Sequence, residues 1–289
     1  MKQILITGAT GNVGFEVIRY LKETGTHHNI VAGVRNIESA RKVFKDFPDV
    51  DFINFDFEQP ETFDKALAYT DTIFLLRPPH LADVEKYFRP LIEKIKEHKV
   101  KEVMFLSVQG AEKSKVIPHN KIERLIQEYE LNYVFLRPGY FMQNLTTTLL
   151  ADIKTKRQII LPSAKASFNW IDIENIAEVA AVLLISFSDY RNRAIELTGY
   201  ENINFYSVAD MLSAATTKPV NFAAVSPLQF YNMKKKEGME LGMIIVMIML
   251  HFLPRYQKEP AISDFYEKLT GKKPTSLVDF IAREKKKFE

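Results

Sequence analysis

A seven-residue stretch near the N-terminus, Gly8-Ala9-Thr10-Gly11-Asn12-Val13-Gly14, contains three of the chain's 11 glycines. It follows the short apolar run Lys2–Thr7 and precedes Phe15–Thr24, where apolar side chains recur at helical spacing. In such a strand–loop–helix unit the first glycine permits a tight turn, the second lets backbone approach a pyrophosphate, and the third permits close packing of helix on strand. Free N–H groups at the start of the helix would bind the anion. The spacing therefore predicts an α/β chain that binds a dinucleotide.

The same alternation of short apolar runs and helical segments continues to about residue 137. After the first strand, the pattern predicts strands at Ile30–Val34, Asp51–Asn54, Thr72–Leu76, Val103–Ser107 and Tyr133–Leu136. Between them it predicts helices at Ser39–Phe44, Glu61–Ala68, Val84 to about His98, and Asn120–Glu130. This order is typical of an α/β protein with a doubly wound parallel-sheet Rossmann fold. Residues 1–137 are thus expected to form an NAD(P)-binding Rossmann core of six strands.

Beyond Arg137 the alternation is less regular. The pattern predicts helices at Leu145–Lys154 and Ile173–Ser186 and a strand at Gln158–Leu161, with no clear linker. Residues 138–289 are therefore expected to form a small mixed C-terminal lobe, partly integrated with the core, that binds the substrate. The expected ligand site is a crevice between the core and this lobe.

The run Leu241–Leu253 is strongly apolar, but its 13 residues fall short of the roughly 20 that cross a bilayer. No membrane span is expected. We interpret the run as a helix buried on all sides. A contact in a homodimer and a flexible wall of an apolar pocket are the alternatives.

Composition excludes several classes of function. The charge of +3, from 39 basic and 36 acidic residues, is too balanced to favour nucleic acid as a partner. The lack of cysteine removes thiolate chemistry and disulfides. The six histidines show no metal-ligand spacing, and no metal is expected. The N-terminal apolar run is too short for a signal peptide, so a cytoplasmic location is expected.

The end of the second predicted strand distinguishes NAD from NADP, because an acidic residue there would bind the ribose hydroxyls of NAD. The local segment VAGVRN has no acid and instead contains Arg35. A guanidinium suits the 2′-phosphate of NADP, with Arg41 or Lys42 as possible helpers. NADP(H) is therefore favoured over NAD(H), although Arg35 as a solvated loop cation is the alternative.

Ligands of open α/β sheets lie outside the carboxyl ends of the strands, which gives further candidates. Asp56 and Phe57 are expected to border the adenine, and the segment Leu76-Arg77-Pro78 is expected to border the ribose. Ser107 and Val108 are expected to approach the nicotinamide. Each of these residues alone is also compatible with a purely structural role.

Four segments carry a resemblance to a known family: TGATGNVG, VRN, LSVQGAE and HNKIERLIQEYELNYVFLRPGYFMQNL. They resemble the NmrA-like group of atypical short-chain dehydrogenases/reductases over most of the chain. The segment FYEKLTGKKPTSLVDFI is similar to the C-terminal ending of its quinone-oxidoreductase-like branch. The resemblance implies either hydride transfer to a quinone or similar planar carbonyl, or an NADP(H) sensor that binds a regulatory protein without turnover. A nucleoside-diphosphate-sugar epimerase shares the cofactor loop and is the third alternative.

Typical short-chain reductases use a Tyr-x-x-x-Lys pair, in which the lysine lowers the pKa of the phenol that donates a proton. The only such pair here, Tyr231 and Lys235, lies far too late in the chain and is interpreted as a chance helical pairing. At the positions of the tyrosine and lysine relative to the HxxxE segment stand Lys115 and His119. This loss argues against epimerase chemistry, which needs a base, but water can protonate a reduced quinone.

Two side chains are candidate catalytic groups. His119 precedes Glu123 by one helical turn, and an imidazole can transfer protons near neutral pH. His119 is alternatively a hydrogen-bonding partner of cofactor or substrate, or a histidine that satisfies backbone at a helix start while Glu123 is a solvated or pairing carboxylate. Ser107 is the second candidate, at the end of the fifth predicted strand.

The segment RPGYFMQN after the sixth predicted strand resembles the family's loop over the nicotinamide. Tyr140 and Phe141 are expected to wall a flat ring, Asn144 to orient a substrate carbonyl, and Trp170 to close an apolar pocket. Buried aromatic residues in an ordinary strand-to-helix crossing are the alternative. The substrate contacts predicted are Tyr140, Asn144 and Trp170. The cofactor contacts predicted are Gly8, Thr10, Gly11, Asn12, Val13, Gly14, Arg35, Asp56, Phe57, Leu76, Arg77, Pro78, Ser107, Val108, His119, Gly139, Tyr140 and Phe141.

Overall fold

The computed structural model describes residues 1–289, which divide into two compact units. Unit 1 comprises Met1–Pro138 and Ile173–Leu197, and unit 2 comprises Gly139–Asp172 and Thr198–Glu289. None of the helices combines the length and hydropathy that a bilayer crossing requires.

The chain forms twelve strands and fifteen α-helices. The strands are β1 (Gln3–Ile6), β2 (Asn29–Val34), β3 (Asp51–Asn54), β4 (Thr72–Leu76), β5 (Glu102–Leu106), β6 (Tyr133–Pro138), β7 (Tyr140–Phe141), β8 (Gln158–Leu161), β9 (Ser167–Ile171), β10 (Arg193–Leu197), β11 (Asn202–Asn204) and β12 (Asn221–Ala224). The helices are α1 (Asn12–Glu23), α2 (Ile37–Val43), α3 (Phe63–Leu67), α4 (Val84–Tyr87), α5 (Arg89–Glu97), α6 (Pro118–Glu128), α7 (Leu150–Lys156), α8 (Ile173–Ile185), α9 (Phe187–Tyr190), α10 (Phe205–Thr216), α11 (Pro227–Lys236), α12 (Leu241–Phe252), α13 (Phe265–Thr270), α14 (Leu277–Arg283) and α15 (Lys285–Phe288).

Unit 1 is built on a seven-stranded sheet with the order β10-β6-β5-β4-β1-β2-β3. All six strand pairs are parallel. The strand order runs outward from β1 in both directions, which is the doubly wound arrangement. The predicted Rossmann fold is therefore confirmed, and all six predicted strands form.

The seventh strand was not predicted, because it lies in the part of the chain assigned to the C-terminal lobe. Helix α8 packs against α1, and β10 then pairs with β6 over Arg193–Leu197. Most residues of α8 are buried, which explains its continuous run of alanine, valine and leucine. The first segment of unit 1 ends at Pro138, one residue beyond the predicted boundary, but the chain returns to unit 1 for Ile173–Leu197.

The helix predicted from Val84 to about His98 is two helices in the structure. Helix α4 ends at Tyr87, and α5 begins at Arg89 with Pro90 in its first turn. A proline inside a continuous helix would lack an N–H donor and would clash with the carbonyl four residues earlier. The apolar spacing on either side of Phe88 nevertheless stays in phase, which is why periodicity alone suggested one helix.

Unit 2 is the expected mixed lobe. It contains a three-stranded sheet with the order β11-β9-β7 and a two-stranded sheet of β12 and β8. Its core is rich in aromatic side chains, and Tyr140, Phe168, Trp170 and Phe205 lie in mutual ring contact.

The apolar run Leu241–Leu253 forms α12, but the helix is not buried on all sides. Ile244, Met247 and His251 face the core, whereas the opposite face is exposed. The exposed apolar residues are Leu241, Ile245, Val246, Met249, Leu250 and Leu253. The expectation of a fully buried helix is therefore wrong, because only one stripe of α12 packs inside unit 2. The dimer contact and the pocket wall stay predictions.

Two lysines and two carboxylates form a cluster of ion pairs in unit 2. The Lys234 ammonium is buried and lies 2.6 Å from Asp152 and 2.8 Å from Glu237. Lys156 pairs with the same two carboxylates at 2.8 and 2.6 Å. Burial alone would raise the pKa of Asp152, but hydrogen bonds from both ammonium groups outweigh it and hold that pKa below its usual value.

We expect Lys234→Met to lower the free energy of unfolding by about 3 kcal/mol at pH 7, because it leaves a buried carboxylate with one partner fewer. The matched change Lys268→Met removes a pair whose side chains are 72% and 67% exposed, and should cost less than about 0.5 kcal/mol. Urea denaturation measures both.

The pH dependence of this loss follows from the lowered pKa of Asp152. Stability from the carboxylate is fully present above the unfolded pKa of about 3.9 and is lost as pH falls through the lower folded value. The difference between the Lys234→Met variant and the unmodified protein should therefore shrink in acid. Equal effects of the two substitutions at pH 7 would contradict the argument.

Candidate functional site

The glycine loop closes tightly around the carbonyl oxygen of Gly8. Gly8 has a φ of +59°, and the Gly11 N–H donates to the Gly8 oxygen at 2.9 Å. A Cβ atom built on Gly14 would lie 2.4 Å from that same oxygen. Only glycine fits both the turn and the helix–strand contact, as the spacing of the motif predicts.

Helix α1 begins at Asn12 without a side-chain cap. Its N-cap residue is Gly11 in extended conformation, and its first turn contains no acidic side chain. The N–H groups of this turn therefore have no side-chain acceptor, and the helix dipole places partial positive charge there. Thr10 and Asn12 are exposed beside the loop, whereas the Val13 side chain is buried and only its backbone can meet a ligand. The arrangement fits an anionic group such as a pyrophosphate.

Thr7 fixes the position of this loop, and sequence reasoning missed it. The side chain is fully buried, and its hydroxyl donates to the Phe74 carbonyl at 3.1 Å. The same oxygen accepts the Leu76 N–H at 2.9 Å. The end of β1 is thereby tied to the end of β4. A threonine directly before the first glycine of the motif was the available signal.

The end of β2 presents a free cation. Arg35 is exposed and makes no hydrogen bond or ion pair within the chain. The next residue, Asn36, caps α2 by accepting the Ser39 N–H at 2.9 Å. The Arg41 guanidinium lies over the ring of Phe52 at 5.2 Å from its centre. Of the cations predicted to bind a 2′-phosphate, Arg35 is therefore the one that lies directly at the strand end.

After β3, the two predicted adenine contacts differ in accessibility. Phe57 is buried in the core of unit 1 and packs against Phe55 and Phe88 at ring distances of 5.1 and 5.2 Å. The apolar core thus covers most of its ring, and contact of Phe57 with the cofactor stays a prediction. Asp56 accepts the Glu58 N–H through one carboxylate oxygen at 3.0 Å. Contact of Asp56 with the cofactor stays a prediction.

Arg77, after β4, folds back on its own loop. Its Nη1 donates to the carbonyls of Pro78, Pro79 and Leu81 at 3.0 to 3.1 Å. Its Nε lies 3.4 Å from Nε2 of His119. Burial lowers the pKa of Arg77 to about 10, so the guanidinium is still charged at pH 7. Arg77 thus holds the loop in place and brings a positive charge next to His119.

His119 is held as a neutral imidazole. Because Arg77 donates to Nε2, the ring proton lies on Nδ1. Burial, and after it the charge of Arg77, lower the pKa of His119 to about 3. Both effects oppose proton transfer by His119 near neutral pH, and that role stays a prediction. The alternative role of His119 as a hydrogen-bonding group stays a prediction.

Two buried polar atoms near the end of β5 have no hydrogen-bond partner. Ser107 is 2% exposed, and its hydroxyl oxygen contacts no donor or acceptor. Asn120, at the start of α6, donates to the Ala111 carbonyl at 3.1 Å but leaves its own oxygen unpaired. Such atoms are rare in native proteins and require an explanation, which a bound polar ligand would supply. Sequence reasoning identified Ser107 and missed Asn120.

Glu123 forms an ion pair with Arg137 and is not solvated. The carboxylate is buried and accepts from Nε and Nη2 of Arg137 at 2.9 and 2.6 Å. A second carboxylate, Glu112, accepts from Nη1 at 2.8 Å. The pair connects the HxxxE and LRPG segments, so these two parts of the family resemblance meet in the fold.

The remaining predicted residues lie in unit 2. A Cβ atom on Gly139 would come within 2.7 Å of the Asn169 carbonyl oxygen, so glycine is needed there for packing. Trp170 is 1% exposed, and its Nε1 donates to the Ile203 carbonyl at 2.9 Å. Trp170 therefore packs in the core of unit 2, and its contact with a substrate stays a prediction. Phe141 and Asn144 are half-buried, and their ligand contacts stay predictions.

Tyr140 takes part in a buried hydrogen-bond chain. Its hydroxyl donates to Nε2 of His251 at 2.9 Å, and Nδ1 of His251 donates to the Met247 carbonyl at 2.7 Å. Burial raises the pKa of Tyr140 and lowers the pKa of His251 to about 4, so both groups are neutral at pH 7. This chain ties β7 to α12 inside unit 2.

The late Tyr-x-x-x-Lys pair is an ordinary helical pair. Tyr231 and Lys235 both lie on α11, and the ammonium lies 5.5 Å from the centre of the ring. Residues four apart on a helix face each other for geometric reasons alone. The pair lies in unit 2, whereas the expected position after β5 lies in unit 1.

Four of the predicted site features of unit 1 lie along one edge of the sheet. The neighbouring strands β2, β1, β4 and β5 end in Arg35, the glycine loop, Arg77 and Ser107 respectively. At about 4.8 Å per strand, these four ends span about 14 Å. A glycine-rich turn at the switch point of a doubly wound sheet defines the class of Rossmann-type dinucleotide folds.

Residues 1–281 match the NmrA-like family, and the chain belongs to that family. Prestalk A differentiation protein A of Dictyostelium discoideum is 31% identical over 96% of this chain and 90% of its own length. The NAD(P)H azoreductase of Xenophilus azovorans is 28% identical over 96% of both chains. The structure of an NADPH-dependent quinone oxidoreductase from Escherichia coli complexed with NADPH has a TM-score of 0.84 at 21% identity, covering 97% of this chain and 99% of that one. The predicted family is confirmed.

Gly14→Ala should destabilise unit 1 by about 1 to 3 kcal/mol, because the added methyl group would overlap the Gly8 oxygen. Gly242→Ala is the matched control, since that glycine is also helical and a Cβ atom there meets nothing within 4 Å. It should cause no loss, because alanine is the better helix former. Urea midpoints compare the two, and equal stability of both variants would contradict the predicted overlap.

The imidazole of His119 should remain neutral from pH 8 down to about pH 5, because its pKa is lowered to about 3. Ring resonances in a two-dimensional NMR titration, assigned by their loss in a His119→Gln variant, would then show no protonation step in this range. A midpoint near the ordinary value of about 6.5 would show that the ring is solvated and not adjacent to the Arg77 charge.

Proposed function

We propose that this protein is an NADP(H)-dependent oxidoreductase that delivers a hydride to a small, planar, apolar acceptor such as a quinone. The observation that carries the proposal is the edge of the sheet where a free arginine, an uncapped helix start and an unpaired buried serine follow one another. Each of these groups lacks a partner within the chain. NADP(H) offers a partner for each of these groups along one extended molecule.

The order of the strands suggests which group holds which part of the cofactor. The N–H groups at the start of α1 would hold the pyrophosphate. Arg35, on the β2 side of the loop, would hold the 2′-phosphate, and the Ser107 hydroxyl, on the β5 side, would accept from or donate to the nicotinamide amide. The bound nicotinamide would supply the hydride.

The comparisons support the same class of reaction. The relative from Xenophilus azovorans is named as an NAD(P)H azoreductase. A protein of the same fold is named as an NADPH-dependent quinone oxidoreductase. Both names describe reductases that use a nicotinamide cofactor, and we extend that class to this chain on the strength of its own free cation and glycine loop.

The proton for the reduced acceptor would come from water. No Tyr-x-x-x-Lys pair lies in unit 1, and His119 is neutral at pH 7. Epimerase chemistry at a carbinol needs a base and is not supported by these residues. The lack of a proton donor also favours a second candidate function, an NADP(H) sensor of NmrA type that binds a regulatory protein without turnover.

We expect fluorescence titration to show tighter binding of NADPH than of NADH. Arg35→Gln should weaken NADPH binding by about 10- to 100-fold, the loss of one charge-assisted contact, and leave NADH binding unchanged. Arg191→Gln changes an exposed arginine before the far edge strand β10 and should alter neither affinity. Equal losses for both nucleotides in Arg35→Gln would contradict the role of Arg35.

The same samples then decide between reductase and sensor. Oxidation of bound NADPH by a panel of quinones would establish the reductase. Tight binding without oxidation by any acceptor would favour the sensor. Failure to bind either nucleotide would overturn both functions together with the interpretation of the glycine loop.

A further inference from the structure

Arg77 is a partly buried cation for which the chain provides no carboxylate. Its hydrogen bonds go to three backbone carbonyls and to the neutral His119, and its second terminal nitrogen, Nη2, makes none. Nη2 is not fully buried, so it keeps some exposure to solvent. Burial lowers the pKa of Arg77 to about 10. A charge removed from water in this way is costly unless a negative charge arrives to compensate it.

The acidic side chains on the neighbouring elements are engaged elsewhere. Glu123 on α6 forms its bidentate pair with Arg137. On α4, Glu85 pairs with Arg89, and Asp83 caps the helix by accepting the Lys86 N–H at 3.1 Å. The positive charge of Arg77 is therefore uncompensated in the folded chain.

The position of Arg77 connects this charge to the acceptor end of the proposed cofactor site. The strand order places β4 and β5 on the side of the glycine loop opposite to β2. If Arg35 at β2 marks the adenosine half, then Arg77 and Ser107 lie on the nicotinamide half. His119 accepts from Arg77 through Nε2, which leaves Nδ1–H as the hydrogen-bond donor of its neutral ring. Of the two contacting side chains, Arg77 carries a positive charge and His119 carries none.

Hydride transfer changes the charge of the acceptor by one unit. A neutral quinone that receives a hydride, two electrons and one proton, from NADPH becomes a hydroquinone monoanion, and NADPH becomes NADP⁺. The monoanion then takes a proton from water to give the hydroquinone. A cationic acceptor such as a triarylmethane dye becomes neutral in the same step. A fixed cation therefore stabilises the product state of the first acceptor and opposes binding of the second.

We propose that Arg77 is the specificity-determining residue of this site, and that its uncompensated charge selects neutral acceptors that become anions over acceptors that are already cations. The proposal rests on the proposed reductase function. It predicts that the acceptor is a neutral conjugated carbonyl compound. An apolar and planar site alone would not define this chemical class.

The test compares kcat/KM for a neutral naphthoquinone and a cationic triarylmethane dye. In Arg77→Gln, which keeps amide donors for the loop carbonyls but removes the charge, the value for the quinone should fall about 100-fold. The value for the dye should stay within about threefold or rise, so the ratio shifts by more than tenfold. Arg77→Lys keeps the charge and should preserve the ratio. Arg89→Gln changes an arginine on α5 that is already paired and should leave both values unchanged.

A binding measurement makes the outcome independent of turnover. The planar anion 2,4-dinitrophenolate serves as a stand-in for the hydroquinone monoanion and should bind the NADP⁺ complex at least tenfold more weakly in Arg77→Gln. The dye should bind that variant no more weakly than it binds the unmodified protein.

Three results would overturn the proposal. Equal losses for quinone and dye would show that Arg77 only holds its loop. A large loss of NADPH affinity with an unchanged ratio would assign its charge to a cofactor phosphate. Unchanged binding of dinitrophenolate would show that the charge does not reach the acceptor. Absence of all turnover in the unmodified protein, with the expected phenolate effect, would instead reject the reductase function and leave the charge selection in place.

Discussion

The contact between the start of α1 and the end of β1 is the constraint on which the candidate site depends. The Gly8 carbonyl lies so close to Gly14 that a single added carbon would overlap it. This contact aims the free N–H groups of the helix at the loop, and the Thr7 hydroxyl ties that loop to the end of β4. Arg77 and Ser107 follow from the strands placed beside β1. If the helix were displaced, the edge of the sheet would no longer present these groups in one line.

Two arginines show how differently the fold uses the same side chain. Arg137 is surrounded by carboxylates and connects α6 to β6, so its charge is compensated and its role is structural. Arg77 has only dipolar partners, and burial, followed by the charge of Arg77, lowers the pKa of His119 to about 3. The second case leaves one positive charge without a carboxylate partner, and the chemistry we propose uses that charge in place of a proton donor.

Sequence patterns predicted the parallel sheet and the glycine turn, because strand and helix periodicity and positive-φ turns are local properties. The family was indicated by the resemblance of four segments, and not by periodicity. They were least reliable where burial depends on distant residues. Nothing in the local pattern distinguished Phe57, which the core covers, from an accessible aromatic side chain. In the same way, the apolar composition of α12 did not reveal that only one of its faces is packed.

The sequence by itself determined the Rossmann-type fold, the position of the glycine loop and Arg35 as a cation at the end of β2, since each depends on residues that are neighbours in the chain. Only the tertiary structure decided that Ile173–Leu197 completes the sheet, that Glu123 is committed to Arg137, and that Arg77 has no carboxylate partner. Whether a charge is compensated depends on side chains that converge from separate elements, and burial then determines its strength. That information is absent from spacing alone.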